Sequence, residues 1–219
     1  MHIEVFSDVV CPWCFLGKRR LEAALAERPQ IEFEVRWRPF ELNPNLPRTG
    51  VDRANYLADK FGGRDALAAA ERRLVDLGRD AGIDFRFDRI AKVPHTRAAH
   101  RLIAAATDPA TCSTVVERLL SSYFEHGRDI GDVAVLVDLA EQCGLDGSSI
   151  ARLLAAEDGF DDIASEVREA QELGVNGVPT FVFDERYLLS GAQPPHVLLQ
   201  VIDQLATVEA PPAAARARG

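Results

Sequence analysis

The sequence predicts an α/β fold of order β-α-β … β-β-α, with a large all-helical insertion between its two halves. Three observations carry that expectation. Period-two strand patterns lie near both ends of the chain, a long central stretch shows helical spacing only, and a C-x-x-C pair stands at the start of the first helix.

Residues 2–7 (HIEVFS) alternate as a strand. A helix is expected over CFLGKRRLEAALAER, where Cys14, Gly17, Leu21, Ala24 and Arg28 recur at helical spacing and Lys18, Arg19 and Glu22 turn outward. Gly17, lacking a side chain, lets this helix approach a sheet closely. IEFEVRWR then alternates without a fault, with Ile31, Phe33, Val35 and Trp37 on one face and Glu32, Glu34, Arg36 and Arg38 on the other.

After the loop ELNPNLPRTG the period changes. Helical patterns are expected over residues 56–61, 66–81, 96–106, 114–125, 133–143, 149–155 and 162–173, with no clear strand among them. Val115, Val116, Leu119, Leu120, Tyr123 and Phe124 form a stripe wide enough for a buried bundle helix. Strand character returns at Phe181-Val182-Phe183, with DER as the turn and YLLS as the return strand. PPHVLLQVIDQLA supplies a last amphipathic helix, and PPAAARARG reads as a disordered tail. The expected organisation is a first half at 1–42, a helical insertion at 43–174, a second half at 175–207 and a tail at 208–219. Without the insertion, this is the order of the thioredoxin fold.

The chain has 219 residues with 25 basic and 34 acidic side chains, a formal net charge of −9. An acidic chain without a dense Lys/Arg cluster repels phosphate backbones, so nucleic acid is not an expected partner. No segment reaches 18 consecutive apolar residues, and MHIEVFSD does not read as a signal sequence. A cytoplasmic protein with no membrane partner is expected. In a reducing compartment, four cysteines favour chemistry over a disulfide framework.

Cys11-Pro12-Trp13-Cys14 therefore reads as a reactive dithiol. With Pro12 as the first helical residue, where a missing N–H costs nothing, Cys11 becomes the N-cap and Cys14 the third helical residue. An N-cap side chain accepts from the first helical N–H groups, and the helix dipole adds about 0.3–2 kcal/mol for a negative charge there, so both favour the Cys11 thiolate. Residues three apart on a helix have Cα atoms about 5 Å apart, inside the roughly 4.4–6.8 Å window for a disulfide. A stabilised thiolate gains little as an attacking group but much as a leaving group. Trp13 adds bulk and an apolar face without charge. A structural zinc site would need four ligands, and Cys112 and Cys143 form no second C-x-x-C. No metal is expected.

GVNGVPTFVF is expected to reach the start of the first helix. Its Val178-Pro179 bond is either an ordinary trans turn or a cis bond facing the dithiol, and the Val178 backbone is suited to pair with an extended substrate.

Residues 11–14 after a first strand, Gly177-Val178-Pro179-Thr180 before a hairpin, and the helical insertion between them resemble the DsbA-like thioredoxin superfamily. SDVVCPWCFLGKRRLE, RWRPFELNPNLP, TRAAHRLI, YFEHGRDIGD and GVNGVPTFVFDERYLLSGAQP look more specifically like its FrnE branch, related to 2-hydroxychromene-2-carboxylate isomerases and kappa-class glutathione transferases. The resemblance runs to about Ala206. It implies thiol–disulfide oxidoreduction, with Cys11 attacking, Cys14 resolving and Pro179 cis. Pro12, Trp13, Val178 and Thr180 are the expected substrate-binding set. His95 stands where the family often has Asn, two residues before Arg97, and is read as altering pocket polarity.

Asp8, three residues before Cys11, is a candidate proton acceptor for resolution or else a solvated strand-end carboxylate. His100 is a candidate cavity residue or else a packed histidine. Cys112 and Cys143 read as buried free thiols, with a second disulfide as the alternative. The expected activity is reduction, oxidation or isomerisation of disulfides in protein or small-molecule substrates through a mixed disulfide. The redox centre is the Cys11–Cys14 pair, with no tightly bound cofactor and with glutathione or another thiol as co-substrate. A glutathione-dependent isomerase or transferase is the alternative on the same fold, and a redox-linked holdase is a third reading.

Overall fold

The computed structural model describes residues 1–156 and 160–209. Four strands form one mixed sheet: β1 (His2–Ser7), β2 (Glu34–Pro39), β5 (Thr180–Phe183) and β6 (Tyr187–Ser190), in the spatial order β2-β1-β5-β6. β1 pairs parallel with β2, setting Ile3 beside Val35 and Val5 beside Trp37. It pairs antiparallel with β5, setting Ile3 beside Phe183 and Val5 beside Phe181.

The parallel pair needs a crossover, which α1 (Pro12–Ala26) supplies. The alternation of β1 sends Ile3 and Val5 into a core with Leu21 and Ala24 of α1, Phe181 and Phe183 of β5, and Leu198 and Ile202 of α9 (Pro195–Glu209). Across the sheet, Phe6 and Phe40 meet Ala170 of α8 (Phe160–Glu172) and Val175.

The segment between β2 and β5 carries the other helices: α2 (Arg53–Phe61), α3 (Arg64–Asp80), α4 (Arg97–Ala105), α5 (Pro109–Phe124), α6 (Val133–Gln142), α7 (Gly147–Ala155) and α8. Aspartates cap four of them, with the carboxylates of Asp52, Asp108, Asp132 and Asp146 accepting from Asn55, Thr111, Ala134 and Ser149 N–H. Each such cap satisfies a backbone donor that the helix cannot. The core of these helices continues into α1. Phe15 and Leu16 are fully buried in it, and the Phe15 ring lies 5.9 Å from Phe85 at 85° and 6.2 Å from Phe124. Helix α1 thus has its inner turns on the sheet and its first turn in the helical layer.

The structure departs from the sequence reading at several places. β2 begins at Glu34, three residues later than the alternation suggests, and ends at Pro39. The insertion contains a two-stranded ladder, β3 (Val51–Asp52) against β4 (Lys92–Val93), whose two-residue strands are too short to show a period. Helix α5 starts at Pro109, not near 114, because Asp108 caps it and proline fits its first position. Lys18, expected to face solvent, is buried: α5 lies over it, Glu117 Oε2 sits 2.8 Å from its Nζ, and Glu22 supplies a second carboxylate. The last helix continues to Glu209, into the expected tail, whose residues 210–219 lie outside the described residues.

One glycine fixes the approach of α1 to the second half of the chain. A Cβ at Gly17 would lie 2.8 Å from Pro179 Cγ and 3.3 Å from the Phe181 ring, with the proline ring unable to swing away. Gly17→Ala is expected to cost about 1–3 kcal/mol from overpacking. Urea denaturation checks this, the expected result being a lower midpoint at an unchanged slope.

Candidate active site

The chain leaves β1 at Ser7 and turns through residues 8–10 into α1. Cys11 N–H closes the turn on Asp8 O at 3.0 Å. Cys11 is the N-cap, with extended backbone (φ −93°, ψ 112°), and Pro12 is the first helical residue. Cys14 follows within the first turn, its N–H on Cys11 O at 3.0 Å. Both cysteines are free thiols, and their sulfurs are neighbours.

The cap works differently from the sequence expectation. Cys11 Sγ accepts no hydrogen bond from the helix; its S–H donates to Val178 O at 3.7 Å. A protonated sulfur has a hydrogen to place and is a weak acceptor, so the carbonyl opposite is its better partner. The Val178–Pro179 bond is cis, and Pro179 is buried against Gly17. Thr180, expected in the substrate-binding set, is 1% exposed and spends its hydroxyl on Gly177 O at 2.7 Å. It shapes the loop from within and does not line the cleft, because it is already part of β5.

The two sulfurs have unequal surroundings. Cys11 is 4% exposed and forms part of a cleft wall, whereas Cys14 is 1% exposed and lies behind it. Burial pushes the Cys14 thiol well above its usual range, and the adjacent Cys11 sulfur pushes the same way. The nearby Ser7 hydroxyl and Asp8 backbone act in the opposite direction.

The cleft has a volume of about 290 Å³. Val10, Cys11, Pro12, Trp13 and Val178 form one wall, and Leu57, Phe61, Leu74, Phe87 and Tyr123 of the insertion form the other. Trp13, 36% exposed, stands at the rim with Leu42 and Phe61. The cation missing from the C-x-x-C segment comes from the insertion, where the Arg73 guanidinium lies 5.9 Å from the Trp13 ring centre. Arg53 also reaches the cleft, but its charge is matched by Glu71 Oε1 at 2.7 Å and its plane rests on Phe87 at 5.2 Å. The Tyr123 hydroxyl donates to Lys92 O at 2.9 Å, and burial raises its pKa. The lining is mostly apolar, with its charges paired or at the edge.

Asp8 and His100, separate candidates in the sequence, come together. Asp8 is fully buried; its Oδ2 accepts from Leu42 N–H at 2.8 Å, and its Oδ1 lies 3.4 Å from His100 Nε2. That nitrogen donates to Phe40 O at 3.1 Å. The solvated-carboxylate reading of Asp8 is therefore wrong, since the turn before α1 and the chain after β2 enclose it. His95 lies away from the cleft lining, 3.9 Å from Glu41, with its Nδ1 accepting from Arg97 N–H and burial lowering its pKa. Cys112 and Cys143 are half-buried free thiols whose pKa values burial raises, and Cys112 S–H donates to Ile103 O at 3.8 Å. No group of three or more His, Cys, Asp or Glu suited to a metal occurs among the described residues.

Three residues of the site escaped the sequence reading. Arg53 and Arg73 lie in the insertion, and nothing local to them reports the dithiol. Ser7 was legible: it continues the core-facing register of Ile3 and Val5, where an apolar residue is the default.

A family model for the DSBA-like thioredoxin domain matches residues 2–203. The chain belongs to this family. A probable DsbA oxidoreductase from Streptomyces coelicolor is 33% identical, with a TM-score of 0.88 over 96% of this chain and 92% of that one. YwbO of Bacillus subtilis (strain 168) is 28% identical over 193 residues, 88% of this chain and 91% of its own length. The cytosolic disulfide reductase DsbM of Pseudomonas aeruginosa, solved with GSH, shares the fold at 19% identity and a TM-score of 0.67, covering 94% of this chain and all 100% of that one. No helix among the described residues is long and apolar enough to cross a membrane.

For this DsbA-like chain, brief iodoacetamide treatment of the reduced protein should label Cys11 and spare Cys14 by about tenfold or more. Peptide mass spectrometry checks this, and the difference should vanish in denaturant.

Proposed function

We propose that this DsbA-family protein is a cytoplasmic thiol–disulfide oxidoreductase whose working group is the Cys11–Cys14 dithiol. The observation that carries the reading is the placement of one sulfur in an apolar cleft wall and of its neighbour directly behind it. The Cys11 thiolate attacks a substrate disulfide, one substrate sulfur leaves as thiolate, and a mixed disulfide forms. The Cys14 thiolate then attacks Cys11 Sγ, the Cys11–Cys14 bond closes and the second substrate sulfur leaves. Two electrons pass from the dithiol to the substrate, and the reverse sequence oxidises a substrate dithiol. Pro12, Trp13 and Val178 hold the substrate against Cys11, and Pro179 closes the site from behind.

Glutathione or another small thiol is the proposed co-substrate, supported by the GSH bound in the DsbM structure. The cytoplasmic assignment is supported by DsbM being described as cytosolic. The sequence stretches quoted above support the FrnE branch. A glutathione-dependent isomerase is the second reading, favoured by the enclosed apolar cleft; a cysteine at position 11 backed by Cys14 favours the dithiol.

Insulin reduction driven by dithiothreitol is expected for the native protein and should fall to background in Cys11→Ser. Equal rates refute the dithiol reading, and tight non-covalent glutathione binding without insulin reduction establishes the second. The raised pKa of Cys14 also fixes a pH dependence. Its neutral thiol cannot attack, so the resolving step should accelerate as pH rises through and beyond neutrality and slow as pH falls. Stopped-flow measurement of mixed-disulfide decay at several pH values checks the sign.

A further inference from the structure

A cavity of about 40 Å³ lies behind the dithiol, at the seam between the sheet and helices α4, α5 and α8. It is separate from the substrate cleft. Ser7, Trp37, Arg38, His100 and Glu166 line it, among apolar neighbours. Its polar lining is incompletely satisfied: the buried Ser7 Oγ and Trp37 Nε1 complete no hydrogen bond among the described residues. An apolar void has no such groups, and a space of this size with polar walls suits at least one water. Ser7 is the link to the chemistry, since its hydroxyl stands close enough to the Cys14 sulfur to offset its burial while the same residue forms cavity wall. At the other side is Glu166, whose side chain is partly exposed and faces Arg38 Nε at 3.3 Å.

We propose that Ser7, this cavity and His100 form the route by which the Cys14 thiol loses its proton in the resolving step. The inference rests on the dithiol reading above. The Cys14 proton passes to Ser7 Oγ while the Ser7 hydroxyl proton moves to water in the cavity, which passes a proton to His100. The electron pair of the broken S–H bond stays on sulfur and forms the Cys14–Cys11 bond; the Cys11–substrate bond breaks, and its pair leaves on the substrate thiolate. Trp37 Nε1–H is the donor that holds the water. With His100 Nε2–H committed to Phe40 O, Nδ1 is the basic nitrogen, and the Asp8 carboxylate 3.4 Å from Nε2 balances the imidazolium. The charged groups around this pair are Asp8 from the turn before α1, Arg38 from β2 and Glu166 from α8. The route avoids the cleft side, where the bound substrate covers Cys11.

Ellman's reagent separates the steps in one trace. Attack by Cys11 releases the first thionitrobenzoate, and resolution by Cys14 releases the second. In Ser7→Ala the first phase should stay within about twofold of native, and the second should slow by about 10- to 100-fold, toward the lower end of general acid–base effects. His100→Gln, which retains an N–H for Phe40 O, should slow the same phase, while Ser7→Thr, which retains the hydroxyl, should largely restore it. The native second phase should carry a solvent deuterium isotope effect that the first lacks, a signature that packing alone does not produce. Native second phases in both Ser7→Ala and His100→Gln overturn the route. Loss of both phases in the native protein overturns the dithiol reading instead.

Discussion

The site depends on one close contact, the seating of the Pro179 ring on Gly17. Any side chain at position 17 would push the proline loop away from α1. That loop carries the carbonyl that accepts the Cys11 S–H, from a residue 167 positions along the chain. The contact joins the two halves of the sheet fold, sets the back of the dithiol and fixes Val178 as part of the cleft wall. The insertion takes its position from the same helix, through Phe15 and Leu16 immediately before Gly17. Helix α1 is therefore the common reference for sheet, loop and helical roof.

From that framework follows the inequality of the two sulfurs. They are neighbours in the first helical turn, yet one faces a cleft and the other faces the interior. A disulfide exchanger needs such a division, because the attacking sulfur must meet the substrate and the resolving sulfur must reach only its partner. Burial raises the pKa of the Cys14 thiol, and the nearby Ser7 hydroxyl and Asp8 backbone partly offset it. The insertion adds a mostly apolar opposite wall, with Arg73 on the face of Trp13 as a cation at the rim. A small or extended substrate with apolar flanks suits this shape better than a broad charged surface.

Much of this was legible in the sequence because its signals are local. The alternation in β1 and the C-P-W-C segment each carry their own pattern, and the two together gave the strand, the helix start and the dithiol. What was hidden depends on neighbours distant in sequence. Lys18 reads as a surface residue on its own helix and becomes buried only because α5 brings Glu117 to it. Asp8 looks like a strand-end carboxylate until Leu42 and His100 arrive from later segments. Thr180 sits in a substrate-like motif, but the strand it begins turns its side chain inward. β3 and β4 are too short for any period to show.

The central claim is that Cys11 alone meets the substrate and Cys14 alone completes the exchange. Trapping with a disulfide-bonded peptide tests it most directly. In Cys14→Ser the mixed disulfide should accumulate on Cys11 and persist until an added thiol releases it, while Cys11→Ser should trap nothing. A stable adduct on Cys14 in Cys11→Ser, or no covalent adduct in Cys14→Ser, would contradict the account.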